Sequence, residues 1–301
     1  MLDESTIWIA GIICIDLVLA VIAITAYRYF QSVTQGINTT EELSKKDNFA
    51  FGIAFAGGAL ALAQIIAAAV GGDPAENYLN EAINVSIYAL LGIVLLRVGA
   101  LVNDKMNFNQ FSLTKEISKE NMTAGIIQAA NYIALGIIIS AAIHWIEVES
   151  YEGVLSVLFT FITAQVVLLG VTRYRAGVYA KRHNGASWQK ALQKGNPALA
   201  IRYLGHIIAT ALGINAAAHL VSYSQAEPWF AAIIWFGCSV LTVIAISLLA
   251  VFARSIILMR INTTQEVDEQ QNIGVAFIEA QIFVSMALVL DPLLLIIDTS
   301  L

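Results

Sequence analysis

Polar segments divide the chain into eight mostly apolar runs, at about 6–27, 49–70, 83–103, 122–145, 153–172, 197–221, 229–253 and 273–297. A helix crossing a bilayer needs roughly 20 such residues, so the pattern predicts an all-α, polytopic transmembrane bundle of eight spans. Arg97 lies inside the third run, near its C-terminal end, where its side chain can reach the interface.

The polar segments carry a repeat. Glu41-Glu42-Leu43-Ser44-Lys45-Lys46-Asp47-Asn48 precedes the second run and Lys115-Glu116-Ile117-Ser118-Lys119-Glu120-Asn121 the fourth. Lys190-Ala191-Leu192-Gln193-Lys194-Gly195-Asn196 precedes the sixth, and Gln265-Glu266-Val267-Asp268-Glu269-Gln270-Gln271-Asn272 the eighth. The four asparagines are spaced by 73, 75 and 76 residues. Ile37-Asn38-Thr39-Thr40 recurs as Ile261-Asn262-Thr263-Thr264, and Thr39 with Glu42, like Thr263 with Glu266, has capping-box spacing. The expected unit is a two-span hairpin of about 75 residues, used four times, with a short surface helix leading through Asn48, Asn121, Asn196 or Asn272 into each even span. Two spans per unit keep the copies parallel, with a pseudo-symmetry axis along the membrane normal. Two readings of the asparagines stand open: helix caps at the interface, or a ring of polar groups around a pore mouth.

Composition agrees with a membrane protein. The 301 residues are 58% hydrophobic and 13% charged, about half the charged fraction of a soluble domain. Basic residues sit after the odd runs, or in one case just inside the end of one: Arg28, Lys45 and Lys46; Lys105, Lys115 and Lys119, with Arg97 just before them; Arg173, Arg175, Lys181, Arg182, Lys190 and Lys194; Arg254 and Arg260. The sixteenth, Arg202, lies six residues past Asn196. The other side is acidic, with Asp3, Glu4, Asp73, Glu76, Glu81, Glu147, Glu149, Glu152, Glu227 and Asp298, and Tyr78, Tyr151, Tyr223 and Trp229 lie near it as interface aromatics. The positive-inside rule puts the basic loops in the cytoplasm and both termini outside. The start, Met1-Leu2-Asp3-Glu4, is acidic where a secretory signal is basic, so the first span is expected to be retained. Cys14 and Cys238 both lie in apolar runs and read as small buried hydrophobes.

Thr39-Thr40-Glu41-Glu42-Leu43-Ser44-Lys45-Lys46-Asp47-Asn48-Phe49-Ala50, followed by Ala54-Phe55-Ala56-Gly57-Gly58-Ala59-Leu60-Ala61-Leu62-Ala63, resembles the YjfL-like family, the domain of unknown function number 350 (DUF350). Glu120-Asn121-Met122-Thr123-Ala124-Gly125 is similar to that domain's second asparagine step. The resemblance implies four spans per domain, hence two tandem domains at about 1–150 and 151–301. It also implies a bacterial inner membrane, and no reaction. Family members are often encoded beside envelope-stress and polyamine-related proteins, which is association and not mechanism. The second half departs from the pattern: Pro197 follows its first asparagine, and Arg202 and His206 occupy a face that is small and apolar in the first half.

Ionisable residues within spans are costly and mark candidate sites. Asp16 and His206 both fall roughly 15 Å deep at 1.5 Å per residue, and Arg202 and Glu279 roughly 10 Å. Depth permits two pairings, Asp16 with His206 and Arg202 with Glu279. These four form the candidate intramembrane site, read either as a polar pathway or as ion bridges locking helices together. Gln128 and Asn131 form a stripe with Asn121, and Asp291 before Pro292 is expected to face water or cap a break in the last span.

No phosphate loop, zinc-helix motif, nucleophile elbow or cysteine cluster is present, so no catalytic residue, cofactor or metal site is assigned and an enzyme is not expected. The leading reading is a channel or carrier for a small solute or ion. Against it stands a non-transporting scaffold or envelope-stress component acting through its cytoplasmic face, and an intramembrane enzyme ranks third. Candidate partners are membrane lipids, further copies of the chain in a homo-oligomer and a cytoplasmic stress-response protein; nothing points to nucleic acid.

Overall fold

Among the described residues, eight helices are long and apolar enough to span a bilayer, and they pair into four hairpins. A computed structural model describes residues 4–72, 75–146, 153–224 and 226–298. The hairpins are α1 (Glu4–Gln35) with α3 (Phe49–Val70), α4 (Tyr78–Val102) with α6 (Met122–Ile146), α7 (Val154–Arg182) with α9 (Pro197–Ala216), and α10 (Pro228–Ile257) with α11 (Ile273–Asp298). Short surface helices α2 (Thr39–Ser44), α5 (Leu113–Ser118) and α8 (Trp188–Gln193) precede the even spans of the first three hairpins. A π-helical turn at Gln265–Glu269 does the same in the fourth.

The even spans pack as a row in the order α3, α6, α9, α11, with the odd spans against their flanks. The apolar windows of α6 and α9 are each 78% buried, against 11% for α1, so the row is the core and α1 is peripheral. Small residues allow the row to close up. A Cβ on Gly57 would come within 2.6 Å of the Ala129 Cα, and one on Gly136 within 2.6 Å of the Ala61 Cα. Without a hydrophobic drive between lipid-solvated helices, this close backbone approach supplies the packing energy.

A second signature of the repeat lies in the backbone. Asp47, Glu120, Gly195 and Gln271, each immediately before one of the four asparagines, all have positive φ (49°, 64°, 90° and 56°). The left-handed residue reverses the chain from surface helix to span. Only the third unit uses glycine, which adopts that conformation without a Cβ penalty.

Four expectations need correction. Cys14 and Cys238 are not buried: Cys14 is exposed and Cys238 only half-buried. The odd helices run past the apolar runs, so Arg173, Arg175, Lys181 and Arg182 lie on the last turns of α7 and not in a loop. Thr39 and Thr263 are not the caps. Asn38 accepts from Thr40 N and Glu41 N, and Asn262 accepts from Gln265 N, so the amide side chain of the preceding residue already fills the cap. Pro292 makes no break: α11 continues through it to Asp298. Asp3, Asp73, Glu147, Glu149, Tyr151 and Glu152, and the expected domain boundary, lie outside the described residues.

Candidate functional site

The four asparagines start the even spans and also tie the hairpins together. Asn48 Oδ1 accepts from Phe51 N (3.0 Å), while its Nδ2 donates to Glu42 Oε2 (2.7 Å) and to Ile117 O of the next unit (2.9 Å). Asn121 Oδ1 accepts from Thr123 N, and its Nδ2 reaches Gln193 O (3.0 Å) in the third unit. Asn196 caps through Leu199 N and reaches Val267 O and Asp268 O (3.3 Å each) in the fourth. Asn272 caps through Val275 N and donates to Glu266 Oε2 of its own unit, at an exposed position. They are therefore strung along the row of even spans, each of the first three holding the surface segment of the following unit.

The acidic partners of this relay respond to it. Burial pushes the Glu42 carboxyl up, but hydrogen bonds from Lys46 and Asn48 outweigh it and hold the group below its ordinary value. Glu116 follows the same balance, with burial opposed by Lys119, Asn121 and Gln193.

The intramembrane charges do not form one cluster. Asp16 is on α1 in the first half, with Glu81 as its charged neighbour and a buried Oδ1 that has no hydrogen-bond partner. His206 is on α9 in the second half, edge-on to Phe283 at 4.0 Å between ring centroids. Equal depth does not bring them together, because α1 packs on α3 and α4 while α9 packs on α6, α7, α10 and α11. Arg202 and Glu279 do meet, with Arg202 Nε 2.7 Å from Glu279 Oε2.

That ion pair belongs to a larger network. Arg254 Nη1 donates to Glu279 Oε1 (2.6 Å), and Arg202 Nη1 donates to Asp268 Oδ1. Arg202 Nη2 donates to Thr263 O, and His183 Nε2 lies 2.9 Å from Asp268 Oδ2. Arg175, Asp268 and Arg254 were assigned to loops by their sequence positions. One signal does pick out Arg175: with Tyr179 and Arg182 it has i, i+4, i+7 spacing, one face of a continuing helix.

Around this network is a cavity of about 280 Å³ at the basic-loop end, between α7, α9, α10 and α11. Arg175, Arg182, Arg202 and Arg254 line it, with Asp268, Glu279, His206 and the aromatic side chains of Tyr174, Tyr179, Trp188 and Tyr203. A second cavity, of about 670 Å³, lies toward the acidic end and is lined by His144, Trp145, Asn215, His219 and Tyr223 among others. Nearby, Asp291 Oδ1 accepts from Asn215 Nδ2 (2.8 Å) and is 3.5 Å from His219 Nε2. Between the two, along α9 and α11, lies a buried apolar cluster that includes Ala209, Ile246, Ile282, Phe283 and Ala287.

The tandem copy shows what is particular to the second half. Counted from their asparagines, Arg202 corresponds to Ala54, His206 to Gly58, Glu279 to Gln128, Phe283 to Tyr132 and Arg175 to Tyr27. In the first half Tyr27 packs onto Gly58, stands edge-on to Tyr132 and accepts from Gln31. The space there, lined by Ala54, Gln128 and Tyr132 among others, shrinks to about 10 Å³. One copy is filled by an aromatic side chain; the other is open and cationic.

A family model, Domain of Unknown Function (DUF350), matches residues 2–143 and again residues 149–294. The chain belongs to this family. It carries two tandem DUF350 domains and, with its eight apolar helices, is an integral, multi-pass membrane protein. No curated protein and no solved structure matches it.

Proposed function

We propose that this DUF350 protein is a carrier or channel for a small solute or ion, with its path in the second domain along α9 and α11. The observation that carries this reading is the pair of cavities toward opposite ends of these two helices, the inner one lined by Arg202, His206 and Glu279. Ionisable groups at this depth are expensive and are kept where they meet water, one another or a solute. The apolar cluster around Phe283 would then be the closed barrier, opened when one pair of helices rocks against another. Membership of DUF350 supports a bacterial inner membrane, and the lysines and arginines collected on one face support cytoplasmic basic loops with both termini outside.

The ion pairs also support a second reading. Arg202, Glu279 and Arg254 join α9, α11 and α10, as a scaffold would need. Proteoliposomes separate the two. Uptake of a solute by the full chain that falls in Arg202→Gln and Glu279→Gln supports transport. Absence of flux across ions, amines and organic acids, with those variants only losing folded yield, supports the scaffold.

A further inference from the structure

The charges of the inner cavity do not balance. Four guanidiniums line it against two carboxylates, Asp268 and Glu279, an excess of two positive charges before His206 is counted. The carboxylates are already engaged: Glu279 takes Arg202 and Arg254, and Asp268 takes Arg202 and His183. Arg175 has no hydrogen-bond or ion-pair partner among the described residues, and its buried Nε is unpartnered. The Phe283 ring lies 5.0 Å from its guanidinium carbon, centroid to carbon, and the carboxylate that acts on it from a distance is Glu279, already shared by Arg202 and Arg254. Arg182 is nearly as free, with one long bond of 3.4 Å to Thr264 Oγ1. A half-buried cation whose one nearby carboxylate is already bonded to two other arginines is under-compensated unless something supplies a further anion.

We propose that the cavity binds a small divalent oxyanion of the phosphate-monoester class, held on the Arg175 guanidinium with Arg182 at the mouth. A guanidinium presents parallel N–H donors that match two oxygens of a phosphate. Two negative charges match the excess of two. The aromatic walls leave room for a small organic body, in a volume near the lower end of ordinary ligand sites. Tyr174 and Val251 line the cavity and are also exposed on the outside of the bundle, so it opens sideways as well as toward the basic face. The same phosphate chemistry could therefore arrive as a free solute or as the headgroup of a phosphomonoester lipid. This ligand class rests on the reading of the cavity as a solute site, and names what that site takes.

The test uses the full chain in phosphatidylcholine nanodiscs, titrated with radiolabelled inorganic phosphate and with glycerol phosphate. Saturable binding is expected, weakened at least about tenfold in Arg175→Ala and partly kept in Arg175→Lys, since a lost charged hydrogen bond is worth that much. Arg175 bonds to no described residue, so the Ala variant should remain folded; a single symmetric size-exclusion peak checks this. A parallel arm uses phosphatidate nanodiscs in phosphate-free buffer. Arg175-dependent retention of phosphatidate alone supports the proposal and identifies the source as lipid; Arg175-dependent binding of free phosphate supports it and identifies a solute. No saturable binding in either arm, or equal binding by Arg175→Ala, overturns it. Binding without flux keeps this inference and removes the transport reading. Flux of a cation or neutral solute that ignores Arg175 does the reverse.

Discussion

Glu279 is the residue on which the inner cavity turns, and its replacement gives a magnitude that can be worked out. Its carboxylate is 1% exposed and receives Arg202 Nε at 2.7 Å and Arg254 Nη1 at 2.6 Å. Glu279→Gln keeps the shape and one acceptor oxygen but removes the charge, leaving four guanidiniums against Asp268 alone. Breaking a buried ion pair by removing one partner costs about 3–5 kcal/mol. Two features reduce this. Arg254 is half-buried and can rehydrate through the cavity, and the amide oxygen still accepts one hydrogen bond. A loss of about 2–3 kcal/mol remains. Reversible unfolding in mixed micelles, followed by tryptophan fluorescence, measures it, and a cycle with Arg254→Met isolates the pair. A loss below about 0.5 kcal/mol, the level of an exposed surface pair, would refute the reasoning, because the carboxylate would then be as well solvated without its partners.

Further outcomes follow from the repeat. Asn48→Ala and Asn196→Ala should each cost about 1 kcal/mol or more, losing a helix cap as well as a bond to the next unit, whereas Asn272→Ala, exposed and bonded within its own unit, should cost less; the same unfolding assay ranks them. Gln271→Gly should stabilise by about 0.5–1 kcal/mol, since φ is 56° there and glycine removes the left-handed penalty. Acid should loosen the surface helices. Glu42 and Glu116 titrate below their ordinary value of 4.5 when folded, so their contribution is present above that pH and is lost as pH falls through the lowered folded values. Amide exchange in α2 and α5, corrected for intrinsic rate, should therefore speed up as the pH falls below about 4.5.

The architecture was legible because lipid imposes simple rules. Twenty apolar residues make a span, backbone bonds must close within it, and the four asparagines recur at near-constant spacing because each starts an even span and three of them also grip the next unit. The left-handed residue before each asparagine was hidden, since Asp47, Glu120 and Gln271 occupy a conformation that glycine alone would have advertised. The candidate site was legible in part. Depth along a helix placed Arg202 level with Glu279, but depth says nothing of which helices are neighbours, so Asp16 and His206, equally deep, are in different halves. Arg175 was missed for another reason: hydropathy ends a span at the first charges, while α7 continues for nearly three more turns and carries this arginine into the cavity. The contrast of Tyr27 with Arg175, and of Gly58 with His206, becomes informative only once the tandem copies are superposed on their asparagines.

Transport and anion binding both require the second-half cavity to be a hydrated, cationic space while its first-half counterpart is filled. With Cys14 and Cys238 replaced by Ala, Val178→Cys in the open cavity and Ala54→Cys in the filled one can be probed in membranes. The probes are an anionic and a cationic water-soluble methanethiosulfonate of similar size. Val178→Cys is predicted to react with both, faster with the anionic reagent and more slowly when phosphate is present, and Ala54→Cys to stay unlabelled. Equal silence at the two positions, or faster labelling of Val178→Cys by the cationic reagent, would contradict it.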